Sequence, residues 1–253
     1  MIRILGANIL VFFSELGEMT ILLGQILSRL FKGRIHFRNT IDQTIHLGIK
    51  SLPITITTST FVGMVFAMQV VKEFLKFGAG KMIGGVVAMA MWRELAPMLT
   101  GVVVAGRIGA AISAELGSMK VTEQIEALEA LSQDPIEYLV IPRILACAFM
   151  MPLLIGIADI VGFFGGFFVA VGTGRINPYA YINSAQTMLH PIDIYGGLFK
   201  GFFFGCLIAV IGSFMGLNTQ AGARGVGISV TKAVVVSLIT IFVTNYFLSA
   251  AIF

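Results

Sequence analysis

The sequence predicts an all-α integral membrane protein of about five transmembrane helices, with an N-terminal amphipathic interfacial helix and a short amphipathic helix on the cytoplasmic side. Of its 253 residues, 57% are hydrophobic and 12% are charged, whereas a soluble domain typically contains about 25% charged residues. The mean hydropathy is +0.93. So few polar residues cannot cover a soluble core, and so hydrophobic a chain cannot be intrinsically disordered. A polytopic helical membrane protein is the remaining class.

Stretches with few or no charged residues locate the spans, because a bilayer core requires about 20 mainly apolar residues per helix. Five stretches meet this requirement, and together they form a membrane domain over residues 51–253. Their approximate ranges are 51–71, 82–106, 144–174, 197–217 and 233–253.

Residues 1–50 are predicted to form a separate segment, an interfacial helix followed by a cytoplasmic lead-in. The apolar stretch 4–31 is interrupted by Glu15, Glu18 and Arg29. It has no small-residue cleavage site after a short apolar core, so a removed signal peptide is not expected. We predict an amphipathic helix that lies in the membrane interface, with a sixth span as the alternative.

The basic residues predict the orientation, because cytoplasmic loops of membrane proteins are enriched in Lys and Arg. Of the 17 Lys and Arg residues, Arg93 lies inside a predicted span. Five others fall on one side of the membrane, namely Lys72, Lys76, Lys81, Arg175 and Lys200. The remaining eleven fall on the other side, which predicts a cytoplasmic N-terminus and a periplasmic C-terminus.

The longest polar connection between spans, residues 115–134, is predicted to contain a short amphipathic helix. Thr122 suits the N-cap, and Asp134 precedes Pro135, where the helix should end. The predicted apolar stripe is Val121, Ile125, Leu128 and Leu131, and the acidic face is Glu123, Glu126 and Glu129. Helices that rest on an anionic bilayer are usually basic, so docking into a protein groove is favoured over a solvated helix on the membrane.

Two sets of motifs closely resemble the MlaE (YrbE-type) permease family. One is ELGSMKVTEQIEAL at 115–128, followed by Asp-Pro at 134–135 and Pro-Arg at 142–143. The other is RELAP at 93–97, followed by AGRIG at 105–109. The resemblance extends from about residue 51 to the C-terminus. Members of this family are membrane subunits of ABC transporters that move phospholipids or related lipids between membranes.

The resemblance implies partners for this chain. The permease would be a homodimer in the bacterial inner membrane, driven by a cytoplasmic ABC ATPase that binds ATP and Mg²⁺. A lipid-binding MCE-domain protein would lie on the far side, and any STAS-domain regulator would be a separate chain. The residues expected at the ATPase contact are Glu115, Lys120, Thr122, Glu123, Glu126, Leu128 and Asp134.

The sequence contains no GxxxxGK[ST] phosphate-binding loop, so active transport would require ATP hydrolysis by another chain. We therefore expect no enzyme activity and no cofactor in this chain. His36, His46 and His190 have no ligand spacing that predicts a metal site. The basic residues form no run that predicts nucleic-acid binding.

Arg93 and Glu94 lie inside the second predicted span, where a charge costs at least ~2.5–3.5 kcal/mol on insertion scales. Either they form a buried polar lock, for instance between Arg93 and Asp159, or they line a cavity. Pro97 is expected to kink the helix beside them. Lys200 either extends to the interface or meets an anionic headgroup. In the family that the sequence resembles, lipid occupies an outward-open cavity between two permease copies, which implies that Glu94 and Lys200, together with Arg93, line it.

Structural roles within or beside the membrane are assigned to Pro97, Asp159, Arg107 and Arg143. Gly197, Gly201 and Gly205 repeat every four residues, which permits close helix packing. Packing within the chain is favoured over contact with a second copy.

Two other functions remain open from the sequence. The chain could be a membrane-embedded enzyme that modifies lipid with Glu94 as acid or base. It could instead be an ion-coupled secondary transporter that uses Arg93, Glu94 and Asp159. A structural scaffold is a more distant alternative.

Overall fold

The computed structural model describes residues 2–31, 37–220 and 222–253, apart from the side chains of 2–9, 11, 12, 15, 16 and 31. The chain is 90% helical and has no strand within these ranges. Five helical stretches are long and apolar enough to cross a membrane, which confirms the predicted fold class. They are Leu52–Lys76, Gly80–Val121, Ile136–Gly172, Pro191–Leu217 and Ala223–Ile252.

Eleven α-helices make up these spans and the connections between them in the described ranges. Those up to the first span are α1 (Ile2–Phe31), α2 (Phe37–Ile49) and α3 (Leu52–Lys76). The second span comprises a 3₁₀ turn (Gly80–Met82), α4 (Ile83–Ala90), a π turn (Met91–Leu95), α5 (Ala96–Val104), a π turn (Ala105–Gly109) and α6 (Ala110–Val121). The remaining elements are α7 (Gln124–Ala130), a π turn (Ile136–Val140), α8 (Ile141–Gly172), α9 (Pro178–Met188), α10 (Pro191–Leu217) and α11 (Ala223–Ile252).

The second span is longer than the sequence predicted. It runs to Val121, so Glu115 lies in α6 and not in the polar connection. The reason is an apolar face that continues past the predicted end, where Ile108, Ile112 and Leu116 are all buried. This spacing of four residues keeps one side of the helix packed against the bundle.

The short helices α7 and α9 lie at opposite ends of the bundle, because α7 joins the second span to the third and α9 joins the third to the fourth. We call these the α7 end and the α9 end. Helix α9 forms in the connection between the third and fourth spans. Gly84 and Gly85 of α4 make room for α9, since a Cβ on Gly84 would lie 1.9 Å from the Tyr181 carbonyl oxygen.

Helix α1 is not among the five helices that could span the membrane. Leu22 and Ile26 of α1 are buried against the bundle, while Leu10 and Ile21 are exposed. The apolar surface of α1 is therefore only partly covered by the chain itself. That α1 lies in the membrane interface stays a prediction, and the side chain of Glu15 lies outside the described residues.

Glycines allow the longest helices to pack backbone against backbone. A Cβ on Gly63 of α3 would lie 2.0 Å from the carbonyl oxygen of Gly162 on α8. On α10, a Cβ on Gly201 would meet Ile155 at 2.6 Å, and one on Gly205 would meet the Cys147 carbonyl oxygen at 2.3 Å. The glycine repeat of α10 thus packs within the chain, as the sequence analysis favoured.

Replacing Gly63 by Ala is expected to destabilise the fold by about 1–3 kcal/mol, because the new methyl group would overlap the backbone of α8. Unfolding of the purified protein in a mixed-detergent titration measures this change. Gly172→Ala is the matched control, since nothing lies within 4 Å of a Cβ there. Equal stability of the two variants would contradict the packing described for α3 and α8.

Candidate functional site

Lys200 of α10 lies at the centre of a polar cluster inside the apolar bundle. Its side chain is fully buried. The Nζ donates hydrogen bonds to the Arg93 carbonyl oxygen at 2.7 Å, to Glu94 Oε1 at 3.0 Å and to Ser249 Oγ at 2.7 Å. An ammonium group has three N–H donors, so the protein itself satisfies all of them.

Pro97 explains why Lys200 binds at this carbonyl. In a regular helix, the Arg93 carbonyl oxygen would accept a hydrogen bond from the N–H of residue 97, which proline lacks. The π turn Met91–Leu95 widens the helix immediately before Pro97, and such turns are frequent at functional sites. Lys200 supplies a donor where the helix backbone cannot.

Gly197 brings α10 close enough to the π turn for this contact. A Cβ at position 197 would lie 2.4 Å from the Trp92 carbonyl oxygen and 3.4 Å from Cγ of Pro97. Lys200 lies on nearly the same face of α10, three residues further on. A side chain at 197 would therefore move Lys200 away from both Arg93 and Glu94.

Arg93 forms an ion pair with Asp193, at 2.7 Å between Nε and Oδ1. Asp193 is fully buried, and its Oδ2 accepts a hydrogen bond from the backbone N–H of His190 at 2.8 Å, which caps the start of α10. The polar lock between Arg93 and Asp159 considered from the sequence is therefore wrong. Asp159 is buried in α8, and its Oδ1 accepts no hydrogen bond from a described residue.

The two carboxylate oxygens of Glu94 bind different helices. Oε1 accepts from Lys200 on α10, and Oε2 accepts from Asn245 Nδ2 on α11 at 2.8 Å. The Glu94 side chain is nevertheless 41% exposed and that of Arg93 is 34% exposed. The ring of Phe253 lies over both cations, with its centroid 4.9 Å from Arg93 Cζ and 5.2 Å from Lys200 Nζ. The accessible part of the cluster is thus Arg93 and Glu94, backed by buried Lys200 and Asp193.

The residues that flank this charged pair in the sequence each line an apolar cavity. Leu95, the residue after Glu94, lines a cavity of about 340 Å³ against α3, whose lining residues are Phe61, Val62, Val65, Phe66 and Gln69. Trp92, the residue before Arg93, lines another of about 310 Å³ between α4, α8 and α9. The same helical segment of the second span thus carries two partly exposed charged groups and two residues that line apolar cavities.

Helix α7, Gln124–Ala130, is shorter than the predicted segment 115–134. Thr122 ends α6 and does not begin α7, and its Oγ1 donates to the Ser118 carbonyl oxygen at 2.9 Å. The chain then turns through Glu123, whose φ is 59°. This left-handed residue separates the two helices, so the predicted N-cap at Thr122 was wrong. Ile125 is buried and anchors α7 to the bundle.

The exposed surface of α7 is acidic, as predicted, and carries Glu123, Glu126 and Glu129. Lys120 forms an ion pair with Glu126, and this hydrogen bond lowers the pKa of the Glu126 carboxyl. Leu128 is half-buried, whereas Leu131 is 71% exposed. The predicted apolar stripe is thus incomplete, and Leu131 is an exposed apolar residue beside the acidic surface.

Four other predicted residues hold the bundle together near α7. Arg143 binds Glu115 at 3.1 Å and the Leu139 carbonyl oxygen at 2.8 Å. Asp134 forms an ion pair with Arg29 of α1. Arg107 lies in a π turn of the second span and donates to Ser51 Oγ and the Leu47 carbonyl oxygen. Glu115 and Asp134 are therefore engaged within the chain, as Glu126 is through Lys120.

The polar cluster also contains residues that sequence reasoning did not select, namely Asp193, Asn245, Ser249 and Phe253. Asn245 was detectable as the one amide side chain in the predicted span 233–253, with Ser249 one helical turn further on. Asp193 follows His190-Pro191, where an acidic side chain in the first turn favours a helix start. Of the three histidines considered as metal ligands, His36 lies outside the described residues.

The family of the chain follows from its similarity to known proteins. The sequence profile described as permease MlaE matches residues 40–251. The chain belongs to the MlaE permease family.

Relatives of this MlaE-family protein are named as permeases. It is 46% identical over 241 residues to a probable ABC transporter permease protein of Synechocystis sp., covering 95% of this chain and 92% of the relative. It is 39% identical over 251 residues to a probable ABC transporter permease protein of Rickettsia prowazekii, covering 99% of this chain and 97% of the relative. It is 43% identical over 236 residues to the chloroplastic protein TRIGALACTOSYLDIACYLGLYCEROL 1 of Arabidopsis thaliana, covering 93% of this chain and 67% of the relative. The chain is a multi-pass membrane permease subunit.

Replacing Lys200 by Met is expected to destabilise the permease by about 3 kcal/mol, because the Glu94 carboxylate and the Arg93 carbonyl would lose their charged donor. Adding Glu94→Gln should recover part of this loss, with a coupling energy of at least about 1 kcal/mol. A double-mutant cycle in a mixed-detergent titration measures it.

The control cycle uses the exposed pair Lys76 and Glu73, with Lys76→Met and Glu73→Gln. A coupling energy below about 0.5 kcal/mol is expected there, because water screens the pair. If the Lys200 cycle were no larger than this control, the buried ion pair would not stabilise the fold.

Proposed function

We propose that this MlaE-family protein is the membrane subunit of an ABC transporter that moves phospholipids or related lipids between membranes, driven by a separate ATPase. The observation that carries the proposal is the partly exposed charged pair of Arg93 and Glu94 inside a span, whose neighbours in the sequence, Trp92 and Leu95, each line an apolar cavity. A phospholipid has a charged headgroup joined to apolar chains, and this site provides complementary surface for both parts. The Arabidopsis relative also bears the name of a lipid.

The headgroup would lie against Arg93 and Glu94, and an acyl chain would enter the cavity beside Leu95. Arg93 offers a guanidinium group for a phosphate, since Arg forms paired hydrogen bonds with phosphate oxygens. The cavity of about 340 Å³ lined by Leu95 and α3 is almost entirely apolar, with Gln69 as its polar residue. An acyl chain there would make van der Waals contacts with the apolar side chains that line the cavity.

Lys200 would position this site without contacting the lipid. The sequence analysis placed it in the cavity lining, but its buried ammonium group has no donor left for a headgroup. By holding Glu94 and the π turn, Lys200 fixes the orientation of the two exposed residues. Lys200 would therefore support the residues that contact the lipid and would not contact the lipid itself.

The ATPase would bind at the α7 end. Exposed Glu123 and Glu129 and the apolar side chain of Leu131 supply charge and hydrophobic surface for a groove in the partner. Glu126, with its partner Lys120, and half-buried Leu128 would form the base of this surface. The α7 end would then be cytoplasmic, which agrees with the side that the basic residues predict for the N-terminus.

The remaining partners follow from the family. A homodimer in the bacterial inner membrane is proposed, because α11 exposes a row of large apolar side chains that a second copy could cover. These residues are Val235, Ile239, Phe242, Val243 and Tyr246. A lipid-binding MCE-domain protein would meet the α9 end, and a STAS-domain regulator would be a separate chain.

Closing of the ATPase on ATP would transmit force through α7 to the second and third spans and change the volume of the lipid cavity.

The rival functions fit the cluster less well. An enzyme acting through Glu94 needs a second convergent group, and the neighbouring charges are already engaged: Arg93 by Asp193 and Lys200 by Glu94. An ion-coupled transporter would use Asp159, which forms no ion pair with either cation in the described cluster.

Replacing Glu94 by Ala is expected to reduce ATP-dependent lipid transfer about tenfold or more, because the site loses its exposed carboxylate and Lys200 loses its partner. Transfer of a labelled phospholipid between vesicles by the reconstituted permease and ATPase measures this. Glu73→Ala, an exposed acid at the α9 end, is the control. Transport that followed an ion gradient without ATP, or chemical change of lipid by this chain alone, would refute the proposed function.

Reversing the charge of Glu123 and Glu129 together (Glu123→Lys, Glu129→Lys) should release the ATPase while the permease remains inserted and folded. Both side chains are exposed, so little stability should be lost. Co-purification of the ATPase with a tagged permease measures the contact, with Glu73→Lys as the control for added positive charge. Undiminished co-purification would exclude α7 as the docking element.

A further inference from the structure

A buried acceptor next to Glu94 has no donor within the described protein. Asn245 of α11 is only 8% exposed, and its Oδ1 accepts no hydrogen bond. The other side-chain atom of this amide, Nδ2, donates to Glu94 Oε2 at 2.8 Å. A buried acceptor without a donor is energetically unfavourable, which suggests that a bound ligand supplies a donor to Oδ1.

The orientation of this amide is fixed by chemistry. A carboxylate only accepts hydrogen bonds, so the NH₂ group of Asn245 must face Glu94 and its oxygen must face away. The Asn245 amide thus places an acceptor beside a second acceptor, the exposed Glu94 carboxylate. Lys200 and Asn245 use one lone pair on each Glu94 oxygen, and a carboxylate can accept about four hydrogen bonds.

Arg93, the residue before Glu94, provides hydrogen-bond donors where Glu94 and Asn245 provide acceptors. Its Nε–H binds Asp193, and its other four N–H donors bind no acceptor among the described residues. Its guanidinium is partly exposed beside the Phe253 ring. The exposed surface therefore presents free donors at Arg93 and acceptor capacity at Glu94, and the buried Oδ1 of Asn245 lies beside that carboxylate.

We propose that the site selects lipids whose headgroup carries an N–H or O–H donor next to its phosphate. The phosphate binds the guanidinium of Arg93, and the headgroup donor binds the Glu94 carboxylate and, after a small movement of the side chain, Asn245 Oδ1. A trimethylammonium group has no N–H and would leave the buried oxygen unpaired. Sites built to bind a donor discriminate strongly against analogues that lack it. This inference rests on the proposed lipid site and adds the class of its headgroup.

A methylation series tests the proposal, because it removes headgroup donors one at a time while the phosphate and acyl chains stay the same. The competitors are phosphatidylethanolamine, its N-methyl and N,N-dimethyl derivatives and phosphatidylcholine, with phosphatidylglycerol as an O–H donor. Each displaces a fluorescent lipid from the purified permease–ATPase complex. Phosphatidylcholine should bind about tenfold more weakly than phosphatidylethanolamine, and the dimethyl derivative should lie between them. Phosphatidylglycerol should bind like phosphatidylethanolamine.

Variants of Asn245 connect the preference to this residue. Asn245→Leu should reduce the difference between phosphatidylethanolamine and phosphatidylcholine to about threefold or less, whereas Asn245→Ser, which retains an acceptor, should keep an intermediate difference. Tyr246→Phe is the control on the exposed side of α11 and should keep the full difference. Thermal unfolding of each variant shows whether the fold is retained.

The outcomes separate this inference from the function on which it rests. Equal displacement by phosphatidylcholine and phosphatidylethanolamine in the native complex would overturn the headgroup selection and leave lipid binding intact. If Asn245→Leu and Asn245→Ser, both folded, kept the full difference, the assignment of this preference to Asn245 would be overturned. Failure of every phospholipid to displace the probe would instead refute the proposed lipid site itself.

Discussion

The hydrogen bond from Lys200 to the carbonyl oxygen of Arg93 is the interaction on which the rest of the site depends. It exists because Pro97 removes the backbone donor that this carbonyl would otherwise meet one turn later. The same ammonium group binds Glu94 and Ser249, so one side chain joins the second, fourth and fifth spans. Gly197 makes the contact possible by letting α10 approach the π turn.

The charges of this cluster are tolerated in the membrane because each buried member has an opposite partner. Lys200 and Asp193 are fully buried, and they pair with Glu94 and Arg93, which reach the accessible surface. A charge left without a partner at this depth would be costly. The division of roles follows from burial: Lys200 and Asp193 position the site, while Arg93 and Glu94 are available to a ligand.

The sequence predicted much of this molecule, and its errors have physical causes. Runs without charge predicted five spans, and the cost of burying charge singled out Arg93 and Glu94. Helix ends were predicted less well, because Glu115 was interpreted as a residue of a polar connection although it lies in α6 and pairs with Arg143. The partner of Arg93 could not be chosen from sequence, since Asp193 and Asp159 are both acids in or near spans. Only packing of α10 against the π turn decides between them.

Contact between a lipid headgroup and the Arg93–Glu94 surface is the central claim of this account. Crosslinking with a phospholipid that carries a photoreactive group on its headgroup tests it directly, with the labelled residues located by mass spectrometry of the native complex. Residues 92–95 and Asn245 should be labelled, whereas Lys200, which is buried behind them, should not be. Labelling confined to exposed apolar positions on α11, such as Ile239 and Phe242, would contradict it.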